Sequence, residues 1–227
     1  MSLFAISDLH LSFGTNKPMD VFGWNNYEQR LLEQWNSLVA PEDWVLLPGD
    51  LSWATYLEET EADFRFIDRL NGTKILGKGN HDYWWTTAKK MREYAEKMGF
   101  TSLRFLYNNS YLWGTTGICG TRGWCNHGNV AEDTHLWERE LQRLQLSLES
   151  AKGCETVVCC LHYPPVDLSG KLSEAHMELF SRYNVRCVVY GHLHGRRFDG
   201  RLPEWIEGIR FQLVSCDYLN FAPIRLE

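Results

Sequence analysis

The sequence predicts an α/β fold with more than one β-sheet and helices on the outer faces. Three observations carry this expectation. Short apolar runs alternate with stretches of helical periodicity. The second half adds strand-like runs set around a turn-rich cluster. A chain of 227 residues, 44% apolar and 23% charged, is ordinary for a globular protein and long enough for a large core.

The elements follow in order. Leu3–Ser7 and Trp44–Leu47 read as buried strands. Between them Tyr27, Leu31, Trp35 and Leu38 recur at helical spacing. Phe64, Ile67 and Leu70 mark a second helix, stopped by Asn71-Gly72. Lys74–Leu76 is a third strand. Met91, Tyr94, Ala95 and Met98 form a third helix that ends at Gly99. From Leu103 to Gly120, two strand-like runs flank Asn108-Asn109-Ser110, which predicts a hairpin. Trp137, Leu141, Leu144 and Leu148 give the clearest amphipathic helix. Val157–Leu161 and Arg186–Tyr190 are strands separated by a helix around Glu174–Arg182, and Arg210–Leu226 holds one or two more strands. No repeat, low-complexity stretch or linker interrupts the chain, so a single domain over residues 1–227 is expected.

Composition narrows the function classes. No apolar run reaches the roughly 18 residues of a membrane span. The first residues lack a basic start and a long apolar stretch, so no signal peptide is expected. The net charge of −6 argues against a protein that lives on nucleic acid. Seven cysteines, none in a C-x-x-C pair, disfavour a disulfide framework and a thiolate zinc site, and a reducing cytoplasm is the simplest compartment. Ten tryptophans point to a large aromatic core or an aromatic-lined cleft.

The chemistry sits where the strands end. The first run leads into Asp8-Leu9-His10 and the second into Gly49-Asp50. The third leads into Gly79-Asn80-His81-Asp82, and later runs into His162 and Gly191-His192-Leu193-His194. Ligands in α/β proteins gather at the carboxyl ends of strands, because loops there converge on one crevice. Five of the eight histidines lie in these loops. Imidazole with carboxylate and no thiolate suits manganese, iron or zinc. Gly49, Gly79 and Gly191 allow close backbone approach. Any one of these histidines alone is better read as an ordinary polar residue; the five loops together favour a metal site.

These blocks, D-x-H, G-D, G-N-H-[DE], H and G-H-x-H in that order, resemble the calcineurin-like metallophosphoesterases, and they run from Asp8 to His194. The resemblance implies a four-layer sandwich of two mixed sheets flanked by helices, with a dinuclear centre at one edge. It implies that Asp8, His10 and His194 hold one ion, that Asn80, His162 and His192 hold the other, and that Asp50 bridges them. A shared carboxylate offsets the repulsion of two cations and sets their separation at about 3.5–4 Å. A water between such ions loses a proton near neutral pH and becomes the nucleophile. His81 is then the candidate for protonating the leaving-group oxygen. Asp82 is the candidate for accepting the other ring N–H and fixing its tautomer.

Other residues have two readings each. Arg122, in a glycine-bearing loop, could fork onto a substrate phosphate or make an ordinary surface ion pair. His127 could join it at the site. Trp53, Tyr83, Trp84 and Trp85 could stack on substrate or pack in the core. Cys119, Cys159, Cys160, Cys187 and Cys216 lie in apolar surroundings typical of inert thiols. The sequence has no cysteine-phosphatase loop, no G-x-S-x-G elbow and no P-loop. The expected activity is hydrolysis of phosphomono- or phosphodiesters on a small phosphorylated substrate, without a membrane. A scaffold of the same fold that has lost its catalytic residues is disfavoured, because every block is intact. A nuclease of the family is opposed by the acidic balance.

Overall fold

A computed structural model describes residues 1–124, 131–166, 170–195 and 202–227. The first sheet contains β1 (Leu3–Ala5), β2 (Trp44–Leu47), β3 (Thr73–Leu76), β4 (Leu103–Phe105) and β11 (Ile224–Arg225), in the order β11-β1-β2-β3-β4. The second contains β5 (Tyr111–Trp113), β6 (Thr116–Thr121), β7 (Thr156–Leu161), β8 (Val185–Tyr190), β9 (Trp205–Ile206) and β10 (Ile209–Leu213), in the order β5-β6-β7-β8-β10-β9. Both are mixed sheets. β11 runs antiparallel to β1, β5 to β6 and β9 to β10, and the remaining pairs are parallel.

Strand periodicity assigns each side chain to a layer. In β7, Val158 and Cys160 bury between the two sheets, whereas Val157, Cys159 and Leu161 turn outward to the helices. β1 and β2 alternate likewise: Leu3, Ala5 and Leu46 join the inter-sheet core, and Phe4, Val45 and Leu47 face the other way. The outer face of the first sheet is covered by α1 (Tyr27–Leu38), α2 (Glu61–Arg69) and α3 (Ala88–Met98), through Tyr27, Leu31, Trp35, Phe64, Ile67, Met91 and Ala95. The outer face of the second is covered by α4 (Ala131–Ser150) and α5 (Glu174–Arg182), through Leu144, Leu148 and Phe180. The result is the four-layer sandwich. Each fully buried aliphatic side chain in these cores contributes about 1.5–3 kcal/mol.

One local expectation is corrected. The runs around Asn108-Asn109-Ser110 are not a hairpin, because β4 pairs with β3 in the first sheet and β5 with β6 in the second. The Leu106 N–H donates to the Leu76 carbonyl, its side chain buries between the sheets, and the chain then crosses from one sheet to the other. Turn residues mark the reversal without specifying which partner each arm takes. The hairpins instead close at Gly114-Thr115, between β5 and β6, and at Glu207-Gly208, between β9 and β10, where both turn residues have positive φ (48° and 79°). The C-terminal segment supplies β10 to one sheet and β11 to the other.

The sheets also meet at the edge where the loops gather. The Ser7 N–H donates to the Val214 carbonyl, and the Cys216 N–H to the Ser7 carbonyl. The end of β1 is thereby laced to the segment after β10.

Candidate metal centre

The loops leaving β1, β2, β3, β7 and β8 reach this one edge. Their backbones are drawn close. The Asp8 N–H donates to the Gly49 carbonyl and the His10 N–H to the Asp50 carbonyl, both at 3.0 Å. Asp8, His10, Asp50 and His192 all adopt left-handed backbone, with φ of 57°, 45°, 53° and 69°. Two glycines are required by proximity. A Cβ on Gly79 would lie 2.0 Å from Asp50 Oδ1, and one on Gly191 would lie 2.4 Å from Asp8 Oδ2.

Two groups of donor atoms result. In the first, one ligand-type atom each from Asp8, His10, Asp50 and His194 lie within 4.8 Å of one another. His10 Nε2 is 3.1 Å from His194 Nε2 and 3.7 Å from Asp50 Oδ2. In the second, Asn80 Oδ1 is 2.7 Å from His162 Nε2 and 2.8 Å from His192 Nδ1. Asp50 Oδ2 is 3.5 Å from that same His162 nitrogen. Asp50 thus faces both groups.

This donor set fits cations. The Pro48 carbonyl, 3.1 Å from His162 Nδ1, can only accept, so the proton sits on Nδ1. Nε2 then presents a lone pair to Asn80 Oδ1 and Asp50 Oδ2, an all-acceptor arrangement with no positive centre. Asp50 Oδ2 is buried without a hydrogen-bond partner among the described residues. Burial drives the Asp50 carboxyl well up from its ordinary range, and Asp8 and Asp82 add to the shift. Burial likewise raises Asp8, against the opposing pull of His194. Burial first, then neighbouring imidazoles, holds His10 and His162 well below the usual histidine range. Every shift disfavours charge on the protein's own groups, and a bound cation would reverse that balance.

His81 adjoins both groups. Its ring centroid is 5.6 Å from that of His10, and its backbone N–H donates to Asp50 Oδ1 at 2.8 Å. Burial, then His194 and Lys17, lowers its ring pKa. The expected contact between Asp82 and this ring is not formed. Asp82 is buried, and its oxygens accept from the N–H groups of Gly79 (2.7 Å), Asp50 (2.8 Å) and Leu51 (2.9 Å) and from Trp84 Nε1 (3.0 Å). His81 Nδ1 is buried with no partner among the described residues. The Asp82 carboxylate therefore clamps the Asp50 and Asn80 loops together, because several buried backbone donors compete for it more effectively than one ring.

The aromatic residues differ in placement. Trp84 and Trp85 are buried in the core. Trp53 stacks on His10 (4.8 Å between centroids, 25° between planes) and lies 4.6 Å from His81, while Tyr83 is exposed. The Arg122 carbonyl accepts from the His162 and Tyr163 N–H groups, so this residue borders the site. Its guanidinium lies 4.9 Å from the Trp124 ring and 3.9 Å from buried Glu140, and its Nε has no partner among the described residues. His127 lies outside the described residues. The sequence reading missed Pro48, whose carbonyl sets the His162 tautomer, and Asp63 on α2. Asp63 accepts from the Ser52 hydroxyl and from the Phe13 N–H (2.8 Å), tying together the loops that carry Asp50 and His10. An acid in the first turn of a helix looks like ordinary dipole compensation, so no sequence signal marked it.

Comparison with known proteins agrees with the fold. The family model described as calcineurin-like phosphoesterase matches residues 1–196. The chain is 22% identical to an [acyl-carrier-protein] phosphodiesterase, PptH, of Mycobacterium tuberculosis, covering 96% of this chain and 78% of that one. The crystal structure of the phosphopantetheinyl hydrolase PptH from the same organism superposes with a TM-score of 0.61 at 20% identity, over 94% of this chain and 88% of that one. A protein of unknown function from Aquifex aeolicus, AQ665, superposes with a TM-score of 0.54 at 18% identity, over 99% and 95% of the two chains. Motif order, two-sheet architecture and family match converge, and the chain belongs to the calcineurin-like phosphoesterase family.

Proposed function

We propose that this protein is a dinuclear metal-dependent phosphoesterase. Asp8, His10 and His194 hold one transition-metal ion, Asn80, His162 and His192 hold the other, and Asp50 is shared. One observation supports this above the rest: Asp50 Oδ2 lacks a hydrogen-bond donor among the described residues and lies 3.7 Å from His10 and 3.5 Å from His162, one member of each group. Manganese, iron or zinc, when bound, supplies an acidified water and positive charge for the phosphoryl oxygens. The chain's own residues do the rest. Asn80 directs the loop so that His81 stands beside the centre. With the ions bound, a water that has given a proton to solvent would bond to phosphorus as the phosphorus–oxygen bond to the leaving group breaks, and His81 would donate its proton to the departing oxygen. Solvent then reprotonates His81. Asp82 holds the Asp50 and Asn80 loops in register throughout. Arg122, released from the Glu140 carboxylate 3.9 Å away, forks onto two non-bridging phosphoryl oxygens.

The substrate is a small phosphorylated compound in the cytoplasm, and a phosphodiester is favoured by the activity named for the mycobacterial relative. The test is reconstitution with Mn²⁺, followed by elemental analysis and a panel of phosphomonoesters, cyclic nucleotides, pyrophosphate compounds and a phosphopantetheinyl carrier-protein diester. About two ions per chain and metal-dependent hydrolysis are expected. Asp50→Asn should lose more metal than any single histidine variant. One ion or none in the reconstituted protein would overturn the reading.

A further inference from the structure

The segment after His10 carries a cation that the proposed chemistry does not use. The segment is pinned on both sides of it. The Phe13 N–H donates to Asp63 Oδ1, and Gly14 is pressed so closely on the next connection that a Cβ there would lie 2.5 Å from the Glu59 carbonyl oxygen. On the other side, Met19 is buried and its sulfur accepts from Trp53 Nε1 at 3.4 Å. Between these anchors Lys17 is exposed, with its Nζ 5.2 Å from the centre of the Trp53 ring and 3.5 Å from the Trp53 carbonyl. It makes no ion pair with any described carboxylate, in a chain of net charge −6. Trp53 touches Lys17, His10 and His81, so the ammonium and the proposed acid share one indole as neighbour.

We propose that Lys17 and Trp53 form a leaving-group subsite that selects phosphate esters whose leaving group carries a second anionic oxygen group. The inference rests on the proposed hydrolysis, which places the departing oxygen at His81. A leaving group extending outward from there passes Trp53 and meets Lys17. The indole supplies an apolar wall and, by the attraction of its ring for a cation, limits where the ammonium can go. A carboxylate or phosphoryl group on the leaving group then finds a preplaced cation with open donors. Because Lys17 is exposed, the effect is a matter of selectivity and weakens as salt rises.

The test compares two esters under metal-loaded conditions: 4-carboxyphenyl phosphate and the phosphate of methyl 4-hydroxybenzoate, which differ in one charge far from phosphorus. The quantity read is the ratio of their kcat/KM values, which is independent of how much total activity a variant retains. Lys17→Gln should shift the ratio against the carboxylate by about fivefold, and Lys17→Arg should restore it. The wild-type ratio should approach that of Lys17→Gln in high salt. A third ester with a ring phosphonate separates the two sources of anion; a larger shift there assigns a phosphoryl group, and an equal one a carboxylate. Hydrolysis of both esters with an identical ratio in wild type and Lys17→Gln would overturn the subsite while leaving the phosphoesterase reading intact. Failure of the metal-loaded wild type to hydrolyse these monoesters and the corresponding methyl phosphodiesters alike would overturn both.

Discussion

His81 is the residue whose role most needs separating from that of its neighbours. It lies beside ligand-type atoms, yet its own ring nitrogens make no hydrogen bond to Asp82. We expect His81→Ala to keep both metals and to lose about 10²–10⁴-fold of the rate on alkyl esters, as removal of a general acid does. The loss should be smaller on nitrophenyl esters, whose leaving oxygen needs little protonation. Equal losses on both classes would make His81 a positioning residue, and unchanged alkyl-ester rates would remove it from the mechanism. At this scale the sequence was informative for side chains and silent about their partners. Asp8, His10, Asp50, Asn80, His162, His192 and His194 come together because each belongs to a short local block at a strand end. The fate of the Asp82 carboxylate depended on the backbone of Asp50 and Leu51, donors far away in sequence that no local pattern encodes. The Pro48 carbonyl was illegible for the same reason.

Among the elements, the strand-to-loop junctions are where packing is least forgiving. The Gly79 Cα side faces Asp50 so closely that an added Cβ would sit 2.0 Å from Oδ1 and 2.2 Å from the backbone nitrogen. Gly79→Ala should therefore displace the Asp50 loop, costing about 1–3 kcal/mol in urea unfolding and lowering metal content in elemental analysis. Gly99, at the end of α3, also has positive φ (73°) but open space around it. Gly99→Ala should cost only about 1 kcal/mol of backbone strain, with metal content unchanged. Loss of metal in both variants would point to general destabilisation rather than to the junction. The helices and buried strands were legible because their periodicities are strong over several turns or residues. The crossing at Asn108-Asn109-Ser110 was not, because three-residue arms such as β4 and β5 take their partners from β3 and β6. β9, two residues long, has too little pattern to be seen.

For the whole molecule, the site lies across the joint between two sheets. Asp8, His10, Asp50 and Asn80 follow strands of the first sheet, and His162, His192 and His194 follow strands of the second. Each proposed ion takes side chains from both, so metal binding should stabilise the docking of one sheet on the other. At a free metal concentration of a hundred times Kd, binding to the folded state alone adds about 2.7 kcal/mol. Chelation should lower the melting temperature by several degrees in calorimetry, and Mn²⁺ should restore it; identical melting with and without chelator would contradict the stapling role. Among the described residues no helix is long and apolar enough to cross a membrane. The pairing of β1 with β11 has a consequence for how the chain is made. Phe4 pairs with Arg225 and Ala5 with Ile224, so β1 acquires its outer neighbour only after the residues between them, which form the rest of both sheets, have been synthesised. Until then Leu3, Phe4 and Ala5 form a bare, apolar sheet edge, the kind that recruits strands from other nascent chains. The two residues of β11 cover that edge in the finished fold, and removing them should leave it bare and raise the tendency of copies to aggregate.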